Sequence, residues 1–330
     1  MFQHKTGYRY VAWLFFVLCF STQSNAADLK SPLPVRNLDP AMMRFFDPTP
    51  DSALRSYEHA WSFELNQHYA TLNQYDQLPN AQLLVDMELY VVDPVIHFSL
   101  SDTLEISVRA PLIVPSSGIF DDAIQNFHKW FDMPNGGRQN RPNNSFSYAL
   151  NHNQGAQCQA RNRWEPGNVE LSARYHLAGN QNWAIAALTA VKLPTASKSH
   201  GWGSGAADIA VGLVSSLQQG DWSAHIEGWL IKPFARDEPG LQYKQAYTRG
   251  SLTGGYQMFD MVALIVQAQG GNSPYRSTIS PLDHPPFLIT FGLRGSTSYG
   301  WGWNLAFVEN ITQVTTQDVS VTAGINWQFD

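Results

Sequence analysis

The stretch VSVTAGINWQF, residues 319–329, alternates apolar and polar side chains without a break. Successive side chains of a β-strand point to opposite faces of a sheet. One face of this strand is therefore apolar and the other is polar or small. The apolar positions are Val319, Val321, Ala323, Ile325, Trp327 and Phe329. The run predicts a β-strand that separates an apolar environment from a polar one.

The same period of two recurs along most of the chain, as in DTLEISVRAPL (102–112) and NVELSARYHL (168–177). Such runs, bounded by turn residues, are typical of half-buried strands. Twelve strands are predicted in this way, at residues 56–72, 81–100, 103–114, 167–178, 182–195, 206–218, 221–234, 246–258, 260–271, 286–297, 301–310 and 318–329.

The connections between these strands alternate in length, which decides the fold class. Those after even-numbered strands are tight turns such as SD, AGNQ and QQGD, and those after odd-numbered strands are longer. The longer ones are residues 73–80, 115–166, 196–205, 235–245, 272–285 and 311–317. A soluble β-sandwich shares the period of two but has no reason to alternate its loop lengths. We therefore predict an all-β fold, a transmembrane antiparallel barrel of about 12 strands, with both termini in the periplasm.

The N-terminal segment predicts export. Residues 1–26 carry Lys5 and Arg9, then the apolar run VAWLFFVLCF, and end in small residues, so cleavage is expected between Ala26 and Ala27. Loss of the two basic residues lowers the net charge from −6 to −8. After the signal peptide no apolar run approaches the roughly 18 residues of a membrane helix. Export together with a strand-built chain predicts the bacterial outer membrane.

Composition excludes several other classes. No basic run is available to neutralise phosphates, so no nucleic-acid partner is expected. Cys158 is the one cysteine outside the signal peptide, which excludes an internal disulfide. The histidines show no ligand spacing, so neither a metal nor a cofactor is expected. The HGWGSG stretch (200–205) lacks a nucleophile-elbow spacing and is interpreted as a flexible extracellular loop.

Residues 27–55 form a proline-rich tail ahead of the barrel, which itself is expected to occupy residues 56–330. Proline lacks a backbone donor, so the tail cannot join a sheet. Its apolar motif AMMRFF (41–46) is a possible plug on the periplasmic side.

The loop 115–166 is far longer than usual and contains DDAIQNFHKWFDMPNGGR, residues 121–138. An N-terminal aspartate cap and apolar residues at helical spacing predict an amphipathic helix. The helix could lie on the outer leaflet, close the barrel mouth as a lid, or dock a partner. One Lys beside three acids argues against an anionic lipopolysaccharide surface, so the lid is preferred. Its candidate residues are Asp121, Asp122, Ile124, Phe127, His128, Trp130, Phe131 and Arg138.

Charged residues on the polar strand faces are expected to line the lumen. They could form a selective pore, or they could pair with one another inside a narrow, closed lumen. A barrel of about 12 strands lies between filled 8-stranded and open 16-stranded barrels, which favours pairing. The candidates are Asp86, Glu88, Glu105, Arg109, Glu170, Arg174, Lys192, Asp208, Glu227 and Arg294.

Two resemblances follow from these residues. In TAGINWQF (322–329), the positions of Gly324, Trp327 and Phe329 resemble the C-terminal signal read by the barrel assembly machinery, although Asp330 follows the final aromatic. Several longer stretches resemble a family of Gram-negative outer-membrane proteins catalogued as a domain of unknown function. These stretches are PLPVRNLDP (32–40), LLVDMELY (83–90), DTLEISVRAPLI (102–113), GIFDDAIQNFHKWFDMPNGGR (118–138), VKLPTASKSHGWGSGAADIAVGL (191–213) and FVENI with DVSVTAGINWQF (307–329).

The resemblance implies a barrel in contact with outer-membrane lipid and lipopolysaccharide, and it implies no reaction. We expect a non-enzymatic channel or binding barrel for small or apolar solutes, gated by the extracellular loop. A lipid-modifying enzyme and a structural or surface-recognition barrel are the alternatives. An acyl-transfer enzyme would need an oriented Ser–His pair facing the lipid, and the predicted register supplies none.

Overall fold

The structure is a computed structural model, which describes residues 29–54, 61–78, 81–130, 132, 142–152, 157–158, 163–238, 241–277, 279–297, 301–312 and 315–329. The first elements in chain order are α1 (Pro40–Met43), β1 (Trp61–Leu78), β2 (Ala81–Ser101), β3 (Leu104–Arg109), β4 (Leu112–Ser116), α2 (Asp121–Trp130), β5 (Ser147–His152), β6 (Gln157–Cys158), β7 (Glu165–Pro166), β8 (Glu170–Gly179) and β9 (Trp183–Lys192). The later elements are β10 (Asp208–Gln219), β11 (Trp222–Pro233), β12 (Gln242–Tyr243), β13 (Tyr247–Phe259), β14 (Val262–Gly271), β15 (Tyr275–Arg276), α3 (Ser280–Asp283), β16 (Phe287–Ser296), β17 (Trp301–Asn310) and β18 (Val319–Phe329).

Twelve of these strands form a closed antiparallel barrel, which confirms the predicted fold class. Their order is β1, β18, β17, β16, β14, β13, β11, β10, β9, β8, β3 and β2. The ring closes at β1, where Trp61 is opposite Phe329 of β18 on one side and Phe98 of β2 on the other. The predicted signal peptide (1–26) lies outside the described residues.

The barrel has two distinct ends. At the turn end, short connections such as residues 102–103, 180–182, 220–221 and 260–261 join successive strands. At the loop end, longer segments join β3 to β8, β9 to β10, β11 to β13, β14 to β16 and β17 to β18. The predicted long loop 73–80 is wrong, because β1 and β2 continue upward with Leu78 opposite Ala81. Their inward side chains there, including Leu72 and Leu83, are fully buried in an apolar core.

Strand β3 also ends earlier than predicted. Proline at position 111 has no N–H to give to a ladder, and β3 stops at Arg109. The chain resumes as β4, which pairs with β2 above β3, with Ile113 opposite Val91. These two short strands therefore share one partner strand.

The outer face of the barrel is apolar. In β11 the burial alternates at every residue: Ile226 and Leu230 are 61% and 53% exposed, and Glu227 between them is buried. Because isolated exposed apolar residues are ordinary but continuous bands are not, this face is the lipid-contacting surface. Aromatic pairs ring it at the turn end, namely Trp61–Phe98, Trp222–Tyr256 and Trp301–Trp327, with ring centroids 4.4, 4.5 and 4.8 Å apart. Among the described residues no helix is long and apolar enough to cross a membrane.

Candidate functional site: the occupied lumen

The N-terminal tail lies inside the barrel as a hairpin. We divide it into an ascending limb (29–39), an apex (40–46) and a descending limb (47–54). The ascending limb starts at the turn end, where the Lys30 ammonium donates to the Gly220 carbonyl at 2.7 Å. It reaches the loop end at Asn37, whose side-chain amide donates to the Thr315 carbonyl at 2.7 Å. The descending limb returns to the turn end, where the Ala53 N–H donates to Ser216.

The ascending limb is held by neutral side-chain amides. Gln267 accepts from the Leu33 N–H at 3.1 Å and donates to the Leu33 carbonyl at 3.3 Å. Gln317 accepts from the Leu38 N–H at 2.9 Å, and Gln269 donates to the carbonyl of residue 35. A strand without a neighbour leaves its backbone groups unsatisfied, and glutamines supply the partners that a ladder would have provided.

The apex is held by an aromatic cluster at the loop end. Phe45 is 1% exposed and meets the rings of Tyr243, Tyr247 and Tyr275 at 5.2, 6.4 and 5.3 Å, all edge-on. The Tyr275 hydroxyl donates to the Ala41 carbonyl at 2.7 Å. Each buried side chain of this size stabilises by about 1.5–3 kcal/mol, so the apex is the firmly fixed part of the hairpin.

A charged pair completes the apex. The Arg44 guanidinium is fully buried and donates to Glu238 at 2.8 Å, while its backbone carbonyl accepts from Lys192 at 2.8 Å. Burial alone raises the pKa of Glu238, but Arg44, Tyr243 and Lys198 hold that pKa below its usual range. Glu238 is therefore ionised opposite Arg44, and the pair fixes loop 234–246 to the tail.

The descending limb is held mainly by charge. Its acidic and hydroxyl side chains face arginines of the barrel wall. The three pairs are Asp47–Arg249 at 2.6 Å, Thr49–Arg109 at 2.7 Å and Asp51–Arg174 at 3.1 Å. Backbone N–H groups of the same region donate to wall carboxylates, Phe46 to Asp208 at 2.7 Å and Asp51 to Glu227 at 2.8 Å. The descending limb is thus held mainly by charged contacts, whereas the ascending limb combines amide contacts with the ion pair Arg36–Glu170.

One wall pair at the turn end clamps both limbs together. The His225 ring lies 2.8 Å from the Ser216 hydroxyl through Nδ1 and 3.0 Å from the Lys30 carbonyl through Nε2. The Ser216 hydroxyl in turn accepts from the Ala53 N–H at 2.9 Å and lies 3.5 Å from the Ser52 hydroxyl. This Ser–His pair faces the tail, inside the lumen.

Eight of the predicted lumen-lining residues face the interior. Several pair with each other, as Arg174 with Glu105 at 2.9 Å and Lys192 with Asp208 at 3.3 Å. Others pair with the tail, as Glu170 with Arg36 at 2.8 Å. The eight are Glu105, Arg109, Glu170, Arg174, Lys192, Asp208, Glu227 and Arg294.

Between the two limbs and the wall remains a polar cavity of about 110 Å³. Prolines of the tail form one side. The wall contributes acids and arginines, Glu64, Glu105, Arg109, Glu170, Arg174 and Arg294, together with His97, and Asp51 adds a carboxylate from the tail. The cavity can hold a few waters or a small polar molecule.

The predicted lumen position is wrong for Asp86 and Glu88. In β2 the odd-numbered side chains face inward: Asp93 lies 3.5 Å from Arg109, and Val85 and Met87 belong to the apolar core. Asp86 and Glu88 therefore face outward, where they are nonetheless buried. In this part of β2 polar side chains do not face the lumen, because the apex fills the upper lumen with apolar side chains. The inward face is therefore apolar, and the polar residues lie on the outward face.

The outward Glu88 anchors the start of the loop helix. Its carboxylate accepts from the N–H groups of Ile119 and Phe120 at 3.0 and 2.6 Å, and from the Tyr69 hydroxyl. Gly118, with φ of +74°, lies against this carboxylate and leaves no space for a Cβ atom. The N-terminal end of α2 is therefore fastened to the outer face of the barrel.

The predicted lid residues differ in how far they are buried. Asp121 is buried and accepts from the Asn144 N–H, whereas Ile124 is half-buried. Trp130 is 79% exposed, whereas a lid that closes the mouth with its aromatic stripe would bury it. Asp122 accepts from the Asn143 amide. Phe131 and Arg138 and the side chains of Phe127 and His128 lie outside the described part of the chain, and the lid itself stays a prediction.

The described mouth is capped by segments that were not expected to do so. Trp202, in the stretch interpreted as a flexible loop, is 1% exposed and packs on Tyr148 at 5.7 Å. Loop residues Tyr243 and Tyr275 cover the apex. A tryptophan and several tyrosines in segments expected to be solvated are the sequence signal that could have identified these segments as buried. The wall residues Arg249, Gln267 and Gln269 were also missed, although each occupies an inward position of an alternating strand.

The residues of the predicted assembly signal lie at the closing seam. Trp327 stacks on Trp301 and lies 5.8 Å from Phe329. Gly324 faces inward, and a Cβ there would collide with Asn66 and Asn304. This glycine thus has a packing reason of its own. In the described residues no group of His, Cys, Asp or Glu is arranged to hold a metal ion, and Cys158 lies in β6 opposite Tyr148.

The COG4313 outer membrane channel from Pseudomonas putida F1 shares this fold: it superposes with a TM-score of 0.55 and 10% identity, over 83% of this chain and 97% of that chain. The NanC porin has a TM-score of 0.47 and 8% identity over 81% and 99% of the two chains. The translocator domain of the autotransporter NalP from Neisseria meningitidis has a TM-score of 0.43 and 9% identity over 82% and 88%. At these identities the likeness concerns the fold.

Sequence comparison adds the family. No curated protein sequence shows significant similarity to the chain. A family model described as a protein of unknown function (DUF3187) matches residues 9–329, nearly the whole chain. The chain belongs to that family, as the resemblance of its motifs implied.

Proposed function

We propose that the protein is an outer-membrane channel whose lumen is closed at rest by its own N-terminal hairpin. The turn end then faces the periplasm and the loop end faces the exterior. The observation that carries this proposal is the burial of the hairpin along the lumen, where ion pairs hold both limbs and amide contacts hold the ascending limb. A barrel of 12 strands encloses more space than its own side chains fill, and the hairpin occupies it.

The contacts between the hairpin and the wall indicate which part of the hairpin moves when the channel opens. The apex is fixed by apolar burial, whereas the descending limb depends on ion pairs such as Asp51–Arg174, which lies at 3.1 Å with Asp51 33% exposed. Partly exposed pairs of this kind are weak and are screened by salt. Displacement of the descending limb would join the 110 Å³ cavity to the turn end.

The cavity also bears on the transported class. Its lining combines arginines, acids and one histidine. Moving an apolar solute past such a surface would desolvate charges without replacing their partners. This favours small polar or charged solutes over the apolar ones that the sequence also allowed.

A role in transport is favoured over catalysis. Among the described residues, the pairs Ser216–His225 and Ser107–His97 lie inside the lumen, and the first is engaged by both limbs of the hairpin. Ser280 lies 3.4 Å from His284 at the loop end, away from the lipid-contacting face. An enzyme acting on membrane lipid would need such a pair on the outer face. Incubation with phospholipid and lipopolysaccharide followed by mass spectrometry tests this, and loss or transfer of acyl chains would support a lipid-modifying enzyme instead.

A reversible cross-link tests the gate. The hydroxyls of Ser52 and Ser216 are 3.5 Å apart, so Ser52→Cys with Ser216→Cys, in a Cys158→Ser background, should form a disulfide between hairpin and wall. In planar bilayers under applied voltage the reduced protein should show opening events and the oxidised protein should show none, while each single variant should be indifferent to oxidant. Equal conductance in both redox states would contradict the proposal.

Two deletions distinguish the N-terminal hairpin from the loop 115–166 as the gate. Removal of residues 29–54 should give a permanently conducting barrel, and removal of the loop 115–166 should leave the closed state in place. If only the loop deletion conducts, the loop is the lid and the hairpin is a structural filling. A folded barrel that conducts in neither deletion would exclude a channel.

A further inference from the structure

The segment that leads into α2 is attached to the outside of the barrel. Residues 117–130, which we name the outer strap, begin next to β4, contact the outer face of β2 and β1 at Ile119 and Phe120, and continue as α2. Glu88 accepts both backbone N–H groups of Ile119 and Phe120. The Phe120 ring meets the outward Tyr69 ring edge-on at 5.5 Å. The strap is thus fixed at one height on the barrel wall.

That height can be estimated from the strand register. Trp61 lies in the aromatic ring at the turn end, and Glu88 is opposite Thr71, ten residues further along β1. At about 3.3 Å per residue and a tilt of about 45°, ten residues rise roughly 23 Å. The apolar band of an outer-membrane barrel is about 25 Å tall. The strap therefore crosses the wall at the upper edge of the lipid-facing band.

The strap presents apolar side chains at this edge. Ile119 is 73% exposed, Phe120 43% and Trp130 79%. Directly below on the same outer surface, Val108 and Leu112 are 42% and 41% exposed. The exposed side chains of the strap thus continue the surface that contacts lipid.

The charge of the strap does not oppose this position. Its two N-terminal acids are turned toward their own loop: Asp121 is buried against the Asn144 N–H, and Asp122 accepts from the Asn143 side chain. Trp is also the residue that prefers the membrane–water boundary.

We propose that the outer strap is an interfacial element that lies in the outer leaflet of the membrane, with Ile119, Phe120 and Trp130 in contact with lipid. Glu88 acts as the anchor that holds the strap at this height. The helix then widens the lipid-contacting surface on one side of the barrel and leaves the mouth to the other loops.

Collisional quenching by lipid measures this contact. In a Cys158→Ser background, a single cysteine at position 130 carries an environment-sensitive fluorophore. The protein is placed in phosphatidylcholine vesicles with a spin label near the top of the acyl chain. Leu230→Cys, on the lipid-facing side of β11, is the positive control. Ser199→Cys, exposed in loop 193–207, is the negative control.

Quenching at position 130 should be at least half as strong as at position 230, and clearly above that at position 199. In a second variant, Glu88→Gln, one N–H of the strap loses its carboxylate partner, and quenching at 130 should fall while quenching at 230 is unchanged. Quenching at 130 equal to that at 199 would overturn the proposal. Disulfide-linked dimers of the unlabelled Trp130→Cys variant, together with no lipid quenching of the labelled one, would overturn the proposal and assign the surface to a second copy of the chain.

Discussion

Arg174, on the barrel wall, holds Asp51 of the descending limb at 3.1 Å and the backbone carbonyl of Ser52 at 2.8 Å. The same guanidinium reaches Glu105 on the neighbouring strand at 2.9 Å. One arginine therefore ties the movable limb to a pair of wall strands. Because Asp51 is one-third exposed, this contact is the most accessible of the ion pairs that hold the limb.

We expect Asp51→Asn to loosen the descending limb. A charge-assisted hydrogen bond contributes about 1.5–3 kcal/mol, and partial exposure lowers this toward about 1 kcal/mol, or roughly a fivefold change in an equilibrium. A thiol at position 52, in the Cys158→Ser background, should then react roughly fivefold faster with a polar reagent, and the difference should shrink at high salt.

The matched control for that experiment is Asp102→Asn, the same chemical change in an exposed turn at the same end of the barrel. It should leave the labelling rate at position 52 unchanged. If both variants accelerate labelling equally, the effect belongs to the net charge of the protein and the Arg174 contact is irrelevant to the limb.

Phe45→Ala should destabilise the protein much more than it opens the lumen. Phe45 is 1% exposed and is surrounded by three tyrosine rings. Truncation of a buried Phe costs about 3–5 kcal/mol through lost transfer energy and the cavity left behind. Urea unfolding in detergent micelles measures the loss. Phe291→Ala, at a position 50% exposed on the outer face, should cost far less, and equal losses would mean that the apex does not stabilise the barrel.

The strands were predictable because each one separates two environments. Val319 to Phe329 alternates along its full length, and the observed β18 has the same bounds as the alternation. Tight turns such as Gly220–Asp221 were also recognisable from residue type. The local pattern carries this information because every strand has lipid on one face.

The contents of the lumen were not predictable in the same way. Asp86 and Glu88 were assigned inward because polar side chains usually line a lumen, yet the fixed apex makes the upper lumen apolar. The contacts between the tail and the wall join residues far apart in the chain, as Leu33 and Gln267. A single sequence shows that the tail cannot join a sheet, but it does not show which wall residues satisfy its backbone.

The C-terminal aromatic is expected to serve barrel assembly. Phe329 is opposite Trp61 at the closing seam, and its position resembles the signal read by the assembly machinery. Phe329→Ala should lower the folded fraction in cells several-fold, measured by heat-modifiable migration of membrane extracts. Phe98→Ala removes the ring that lies 4.4 Å from the same Trp61 and is the control. An equal loss for both variants would mean that the belt of aromatic residues at the turn end causes the effect, and that Phe329 is not a recognition signal.

Asp39 makes the docking of the hairpin dependent on pH. Its carboxylate caps α1 by accepting from the Ala41 N–H at 2.8 Å, and it is fully buried. Burial, against the hydrogen bonds that the carboxylate accepts and with a smaller contribution from Asp318, raises the pKa of Asp39 to about 7. A carboxyl with a raised folded-state pKa stabilises the folded state fully below its unfolded pKa of about 4, and this stabilisation is lost as pH rises through about 7.

The melting temperature of the wild type should therefore fall, relative to Asp39→Asn, as pH is raised from 4 to 8. Asparagine keeps the cap, since it is as good an N-cap as aspartate, but it has no proton to lose. The difference between the two proteins should be small at pH 4 and largest at pH 8, with the variant the more stable at the upper end. Parallel melting curves across this range would show that the Asp39 carboxyl does not titrate there and that the hairpin is held independently of pH.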